Sequence, residues 1–119
     1  MQKILIVDDN EMNIRLMEKI LTSRGFQVFS ATSATDGINL AKQELPSLII
    51  MDVRMPGIGG ISATKMLRED PKTKSIPIIA ITAHALTEDI KEIQESGCNG
   101  YILRPCTSNA LLTEVKKFF

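Results

Sequence analysis

Short apolar runs alternate along the chain with longer segments whose apolar residues recur every three to four positions. The short runs are rich in β-branched residues and predict five strands, at residues 3–7, 26–31, 47–51, 76–81 and 100–103. Three of these runs are apolar throughout their interior, which is typical of strands buried on both faces of a parallel sheet. The run at 26–31 alternates apolar and polar residues instead, so we expect it at an edge of the sheet.

The longer segments predict five helices with recognisable ends. Gly25 and Gly97 are suited to stop the first and fourth helices in a left-handed conformation. Ser33 followed by Asp36 is a capping-box pattern at the start of the second helix, which must end before Pro46. The predicted helices cover residues 11–24, 33–45, 61–69, 87–96 and 108–119.

Regular alternation of strands and helices predicts a doubly wound (βα)₅ sheet with helices on both faces. A chain of 119 residues, 44% of them hydrophobic, fits one domain over residues 1–119. Lys and Arg together number 14, as do Asp and Glu, so no overall charge favours nucleic acid or an acidic membrane as a partner. Cys98 and Cys106 lack metal or redox spacing and are interpreted as small buried hydrophobic residues of a cytoplasmic protein.

Polar residues cluster where the predicted strands end. In an open α/β sheet, ligands bind outside the carboxyl ends of the strands, where the strand order reverses. With the order 2-1-3-4-5, the first and third strands are neighbours, and their carboxylates meet at that point. The residues at or just beyond the strand ends, or on the last strand leading to its end, are Asp8, Asp9, Asp52, Thr82, Tyr101 and Arg104.

Three carboxylates in one place need a positive partner, because each pair repels by about 1–4 kcal/mol depending on the local dielectric. Hard oxygen ligands with no His or Cys beside them favour Mg²⁺. Taken one at a time, the same residues have simpler interpretations. Asp8, Asp9 and Asn10 could merely cap the first helix, and Thr82 could simply end a strand. Tyr101 could belong to the core, and Arg104 could be a solvated surface charge. Because all of these residues lie at the ends of successive strands, a common functional site is favoured over separate structural roles.

Four segments together carry a family resemblance: "ILIVDDNEMN" at 4–13, "LIIMDVRMPGIGG" at 48–60, "IIAITAHA" at 78–85 and "GCNGYILRPC" at 97–106. In combination they resemble the receiver domain of bacterial two-component response regulators, over essentially the whole chain. The opening "DDNEMN" is similar to stand-alone regulators of the cell-division and sporulation-relay type and to receivers of hybrid histidine kinases. The flavodoxin-like three-layer sandwich of that family agrees with the predicted order of elements.

The resemblance implies a role for each site residue. Asp52 is the implied phosphoryl acceptor, with Asp8, Asp9 and the backbone carbonyl of Arg54 completing the protein's ligands to Mg²⁺. Thr82 is expected to bond the phosphoryl group, and Tyr101 to change rotamer with it. Two further positions match the family, Pro105 after a cis peptide bond and Gly60 after the phosphorylation loop. The implied partners are a histidine kinase or phosphotransfer protein and a downstream protein effector, which reads the face formed by the fourth strand, fourth helix and fifth strand.

Arg104 departs from the family pattern, which usually has lysine before the proline. A guanidinium is longer than a lysine ammonium and planar, so the exchange is not conservative at a fitted site. As a candidate catalytic residue, Arg104 could reach the phosphoryl oxygens in place of the lysine, or it could turn outward and leave the chemistry at Asp52 slower. The departure leaves open an alternative, a receiver-like interaction module that works without phosphorylation, although the presence of all three acids argues against it. His84, the only histidine, is interpreted as an exposed loop residue rather than a catalytic one.

Two other classes are disfavoured by the residues themselves. A nucleotide- or flavin-binding sheet needs glycines and hydroxyls in its first loop, whereas Asp8, Asp9 and Asn10 repel phosphate. A phosphatase with an aspartyl nucleophile would resemble D-x-D, and Arg54 stands where its second acid belongs. The resemblance to receiver domains implies instead that the chain promotes its own phosphorylation and dephosphorylation without acting on a separate substrate.

Overall fold

The computed structural model describes residues 2–55, 57, 59–82, 87–103 and 107–119. Within these ranges, strands and helices alternate as the hydrophobic pattern predicts, which confirms the (βα)₅ arrangement. The elements are β1 (Lys3–Val7), α1 (Glu11–Thr22), β2 (Gln27–Ala31), α2 (Ala34–Glu44), β3 (Leu48–Asp52), α3 (Gly60–Glu69), β4 (Ile78–Thr82), α4 (Thr87–Glu95), β5 (Gly100–Leu103) and α5 (Ser108–Lys116).

Several boundaries differ from the predicted ones by one to three residues. β4 begins at Ile78 because Pro77 has no amide hydrogen to donate to a neighbouring strand. β3 extends by one residue to include Asp52, which pairs with Ile81 of β4. α1 and α5 end before the predicted residues 24 and 119, because their last residues form turns.

The predicted helix ends are confirmed where they were most specific. The Ser33 hydroxyl accepts a hydrogen bond from the Asp36 amide at 3.2 Å and caps α2. Gly25 and Gly97 have φ angles of +89° and +103°, the left-handed conformation that disfavours other residues. Each of these glycines follows the end of a helix.

All five strands are parallel, in the order β2-β1-β3-β4-β5. β2 lies at an edge, as its alternating pattern predicts, and its residues are less buried than those of β1 and β3. The order reverses between β1 and β3, so the carboxyl ends of these two strands lie side by side. The structure thereby provides the crevice in which such folds place ligands.

The two faces of the sheet carry separate hydrophobic cores. One face packs against α1 and α5, with Ile14, Leu21 and Leu111 among the buried residues. The opposite face packs against α2 and α3, where Ala41 and Leu67 are fully buried. The fold is thus a three-layer sandwich, and its rigid centre holds the strand ends in fixed register.

Cys98 is half-buried rather than fully buried as predicted, and it is a free thiol. Its sulfur lies 3.7 Å from the Thr64 hydroxyl at the margin of the second core. Cys106 lies outside the described residues. In the described part of the chain, every helix is too short or too polar to cross a membrane.

Candidate functional site

The carboxyl ends of β1 and β3 bring three carboxylates together. Val7 pairs with Met51, so the residues that follow, Asp8 and Asp52, lie next to each other at the carboxyl ends of the two strands. One carboxylate oxygen from each of Asp8, Asp9 and Asp52 lies within 4.8 Å of the others. Asp8 and Asp52 are 1% and 4% exposed, whereas Asp9 faces solvent. We refer to these three residues as the acid cluster.

Local backbone bonds hold Asp8 within the acid cluster. The Asp8 carboxylate accepts a hydrogen bond from the Asn10 amide at 2.9 Å, while its own amide donates to Ala31 of β2 at 3.1 Å. Asn10 supplies the N-cap of α1, because its side-chain oxygen accepts from the amides of Met12 and Asn13. Helix capping therefore accounts for Asn10 and does not explain the presence of Asp8 and Asp9.

The position of Asp52 is fixed from two sides. Its carboxylate oxygen accepts a hydrogen bond from the Arg54 amide at 3.1 Å, which orients the side chain toward the strand ends. Behind it, the first residue of α3 packs directly on the backbone: a Cβ added to Gly60 would lie 2.0 Å from the Asp52 carbonyl oxygen. The Gly60 amide also donates to the Val53 carbonyl at 3.1 Å. Only glycine allows α3 to begin so close to Asp52.

The chemistry of the acid cluster fits a hard divalent cation. Its ligand atoms are carboxylate oxygens, the donors that Mg²⁺ prefers, and the described residues place no histidine or cysteine among them. Beside the cluster lies a cavity of about 520 Å³ with Asp9, Asn13, Asp52 and Arg54 in its wall. This cavity opens to solvent directly beside the Asp52 carboxylate.

Thr82 lies on β4, the strand next to that of Asp52, and Tyr101 lies on β5, one strand further on. Thr82 ends β4, is 2% exposed and immediately follows Ile81, the partner of Asp52. Tyr101 of β5 pairs with Ala80, so its side chain emerges on the same face of the sheet as Thr82. The Tyr101 side chain is half-buried. It also lines a larger groove, of about 800 Å³, between β5, α4 and α5.

Three sequence predictions concern residues that the structure does not describe. Arg104, Pro105 with its cis peptide bond and His84 all lie outside the described ranges. Of the predicted metal ligands, the Arg54 carbonyl belongs to a residue that lines the cavity beside the acid cluster, and its role stays a prediction.

Two exposed residues near the acid cluster are absent from the sequence prediction. Met12 and Leu16 of α1 are 77% and 58% exposed, although both are large and apolar. They are one helical turn apart, and Met12 borders the same cavity as Asp9 and Asp52. The sequence contained a signal for them, since neither residue fits the buried stripe of Ile14, Met17 and Leu21.

Comparison with known proteins agrees with this geometry. Residues 4–116 match the response regulator receiver domain family. The chain is 32% identical over 117 residues to the polar-differentiation response regulator DivK of Brucella ovis, covering 98% of this chain and 95% of the relative.

Solved structures show the same fold. The chemotaxis protein CheY4 of Vibrio cholerae superposes with a TM-score of 0.95 at 26% identity, covering 100% of this chain and 99% of that one. The receiver domain of a sensor histidine kinase from Pseudomonas aeruginosa PAO1 has a TM-score of 0.91 at 32% identity, covering 98% and 96% of the two chains. That structure has a magnesium ion coordinated in its active-site cleft.

Receiver domains are signalling modules rather than conventional enzymes, and they work with histidine kinases and downstream effectors. The predicted fold, the family match over nearly the whole chain and the acid cluster at the strand ends all lead to the same assignment. This chain belongs to the response regulator receiver domain family of two-component signalling.

Proposed function

We propose that this chain is a switch controlled by phosphorylation of Asp52. The phosphoryl group comes from a phosphohistidine on a histidine kinase or phosphotransfer protein, and a downstream protein reads the altered surface. The observation that carries the proposal is the acid cluster, in which Asp52 lies beside Asp8 and Asp9 at the ends of two adjacent strands. The cytoplasmic location and the lack of nucleic-acid and membrane partners stay predictions from the sequence.

The acid cluster suits Mg²⁺ as a cofactor. Asp8, Asp9 and Asp52 would hold it through carboxylate oxygens, and the Arg54 carbonyl would supply a further ligand. When bound, the ion supplies positive charge that offsets repulsion between the carboxylates and an anionic phosphoryl group. The oxygen-only ligand set and the adjoining cavity support this assignment.

The transfer itself requires mainly that Asp52 be held in place. A carboxylate oxygen of Asp52 attacks phosphorus, and the bond from phosphorus to the histidine nitrogen breaks, leaving its electron pair on the imidazole. The product is an aspartyl phosphate. The Arg54 amide, 3.1 Å from the Asp52 carboxylate, and the close packing of Gly60 limit the movement of the nucleophile. Repeated hydrolysis of other substrates is disfavoured, because Arg54 stands where an acid would be needed to protonate a leaving group.

The phosphoryl group on Asp52 would be read by Thr82. Thr82 ends the neighbouring strand, and its hydroxyl is a donor suited to a new anionic oxygen. Movement of Thr82 would change the space available to Tyr101, whose side chain lies on the same face of the sheet. The surface formed by β4, α4 and β5 would change as a result.

The donor protein is proposed to dock on α1. Met12 and Leu16, exposed at 77% and 58%, lie one helical turn apart and form a small apolar patch, and Met12 lines the cavity beside the acid cluster. Exposed apolar side chains beside a reactive group are typical of a protein-binding surface, because their burial stabilises a complex. A phosphohistidine carried on a protein that covers this patch would reach Asp52 directly.

Incubation with acetyl phosphate and Mg²⁺, followed by intact mass measurement, tests the proposal. The unmodified chain is expected to gain the mass of one phosphoryl group, and chelation of the metal should prevent the gain. Asp52→Asn should gain nothing, whereas Asp36→Asn, which changes an exposed carboxylate on α2, should behave like the unmodified chain. A phosphoryl group that persists in Asp52→Asn would place the acceptor elsewhere.

The same measurement distinguishes the proposed switch from the alternative, an interaction module that works without phosphorylation. That alternative rests on Arg104, and Arg104→Lys restores the residue usual in the family. No adduct on the unmodified chain, together with an adduct on Arg104→Lys, would favour an interaction module that does not use phosphorylation.

A further inference from the structure

A side chain with four hydrogen bonds lies at the other end of the sheet from the acid cluster. Arg68, near the end of α3, donates hydrogen bonds from all three of its guanidinium nitrogens. Nη1 donates to the carbonyls of Lys74 and Ile76, at 2.9 and 2.6 Å, in the connection to β4. Nε donates to the Gly97 carbonyl at 3.0 Å, and Nη2 to the Asn99 side-chain oxygen at 2.6 Å.

Asn99 extends this network into the sheet. Its side-chain oxygen also accepts from the amide of Ile78, the first residue of β4, at 2.9 Å. In return, the Asn99 amide donates to the Ile78 carbonyl at 2.7 Å. Arg68 thereby joins α3, the start of β4 and the connection between α4 and β5.

The aliphatic part of Arg68 contributes as well. A Cβ added to Gly97 would lie 3.0 Å from Arg68 Cγ, so the arginine stem packs directly on this turn. Partial burial lowers the pKa of Arg68 from its usual value, yet an arginine stays charged at physiological pH. Hydrogen bonds from a charged donor are roughly twice as strong as neutral ones. Stem and guanidinium together fix the segment from Gly97 to Asn99.

This anchored segment lies at the opposite end of the sheet from the acid cluster. Ile78 and Gly100 begin β4 and β5, whereas Thr82 and Leu103 end them. α4 connects the end of β4 with the start of β5, and its carboxyl end at Glu95 leads directly into the anchored turn. One end of α4 is therefore tied to α3, while its amino end follows the strand that carries Thr82.

We propose that Arg68 is a positioning residue of the switch. It fixes the carboxyl end of α4 and the start of β5, so that rearrangement after phosphorylation is confined to the end of β4, the amino end of α4 and the end of β5. This inference rests on the proposed function of Asp52 and adds the point at which the rearrangement stops, at residues 97–99. An arginine with a purely stabilising role would lower the melting temperature without changing where the response occurs.

Hydrogen exchange of individual backbone amides tests the anchor without phosphorylation. In Arg68→Gln, the amides of Ile78 and Asn99 should exchange at least about tenfold faster than in the unmodified chain. Arg68→Lys keeps the positive charge but loses the planar guanidinium, so its exchange rates should lie between those of Arg68→Gln and the unmodified chain. It takes the place of Arg68→Gln if that variant does not fold. Lys65→Gln, an exposed change on the same helix, is the matched control and should have no effect. Unchanged exchange at both amides in the Arg68 variants would overturn the proposal.

The second arm adds acetyl phosphate and Mg²⁺. In the unmodified chain, exchange should change at Thr82 and at residues 87–90 but not at residues 97–100. In Arg68→Gln, the change should extend into residues 97–100. Equal changes at both ends of α4 in the unmodified chain would show that Arg68 does not confine the rearrangement and would overturn the proposal. If no phosphoryl group is gained at all, the proposed function fails, and the exchange rates without acetyl phosphate still decide whether Arg68 is an anchor.

Discussion

Gly60 shows how strongly a single residue constrains the acceptor. The Gly60 α carbon lies so close to the Asp52 backbone that a Cβ added to it would be only 2.0 Å from the Asp52 carbonyl oxygen. Neighbouring Gly59 has no such restriction, because the nearest atom to an added Cβ would be the Val53 carbonyl oxygen at 3.5 Å. Two adjacent glycines therefore have different physical roles.

We expect Gly60→Ala to displace Asp52 and to lower the free energy of unfolding by about 1–3 kcal/mol, as overpacking usually does. Phosphorylation by acetyl phosphate should slow in the same variant, because the nucleophile has moved. Chemical denaturation and the rate of mass gain measure the two effects. Gly59→Ala is the control, and equal effects in both variants would show that the close contact is unimportant.

The sequence alone could place the acids but not their packing. Asp8, Asp9 and Asp52 were predicted to meet because each follows a strand, and the parallel pairing of β1 with β3 brings them together. The contact between Gly60 and Asp52 could not be predicted from the residues themselves. It depends on the approach of α3 to the end of β3, which is a tertiary distance rather than a local pattern.

At the scale of elements, α1 combines two functions on different faces. Ile14, Met17 and Leu21 pack into the core, while Met12 and Leu16 remain exposed. The polar start of the helix at Asn10 adjoins the acid cluster. α1 therefore carries both a structural face and the proposed docking patch.

Replacing the two residues of the apolar patch by polar ones should slow phosphorylation by protein donors but not by acetyl phosphate. In the double variant Met12→Gln, Leu16→Gln, phosphorylation by a histidine kinase that acts on the unmodified chain is expected to slow by at least about tenfold, since full burial of a Leu or Met side chain contributes about 1.5–3 kcal/mol. Phosphorylation by acetyl phosphate should not change. Met66→Gln on α3, also an exposed apolar residue at 46%, is the matched control. Equal slowing with both donors would argue against docking on α1.

The turn after α3 gives a pH-dependent contribution to stability. A hydrogen bond from the Lys72 amide, at 2.9 Å, is the main cause that lowers the pKa of Asp70, and Lys42 at 3.3 Å adds to it. Because the folded-state pKa lies below the unfolded one, this stabilisation is present above the unfolded value of about 3.9 and is lost as the pH falls through the folded value.

Asp70→Asn should therefore reduce the loss of stability on acidification below about pH 5, because asparagine does not titrate. Denaturation midpoints measured at several pH values test this expectation. Lys42→Gln removes only the ion pair and should reproduce a smaller part of the change. A pH dependence in Asp70→Asn identical to that of the unmodified chain would contradict the assignment.

At the scale of the whole molecule, the hydrophobic pattern predicts the layers and the order of elements well. Strands such as Leu48–Asp52 are buried along their length, and that burial alone identifies a central parallel strand. The Arg68 network lies beyond such reasoning, because its acceptors come from two connections that are distant along the chain. A charged residue near a helix end usually indicates a solvated surface.

Coupling across the molecule can be followed through one side chain. Tyr101 is the only tyrosine and the chain has no tryptophan, so its fluorescence reports on β5 alone. Phosphorylation of the unmodified chain should change this signal. Thr82→Val keeps the shape of the side chain but removes the hydroxyl, and we expect it to be phosphorylated while its tyrosine signal stays constant. Thr82→Ser should retain the response, and a full response in Thr82→Val would exclude Thr82 as the link.

The most direct test of the account is to locate the phosphoryl group chemically. Borohydride reduces an aspartyl phosphate to homoserine, and cleavage after Lys42 and Arg54 places Asp52 in the tryptic peptide 43–54. After treatment with acetyl phosphate and Mg²⁺, we expect homoserine in place of Asp52 in that peptide, and none when either reagent is omitted. Homoserine at another aspartate, or an unreduced peptide 43–54 from a chain that has gained phosphoryl mass, would contradict the central claim.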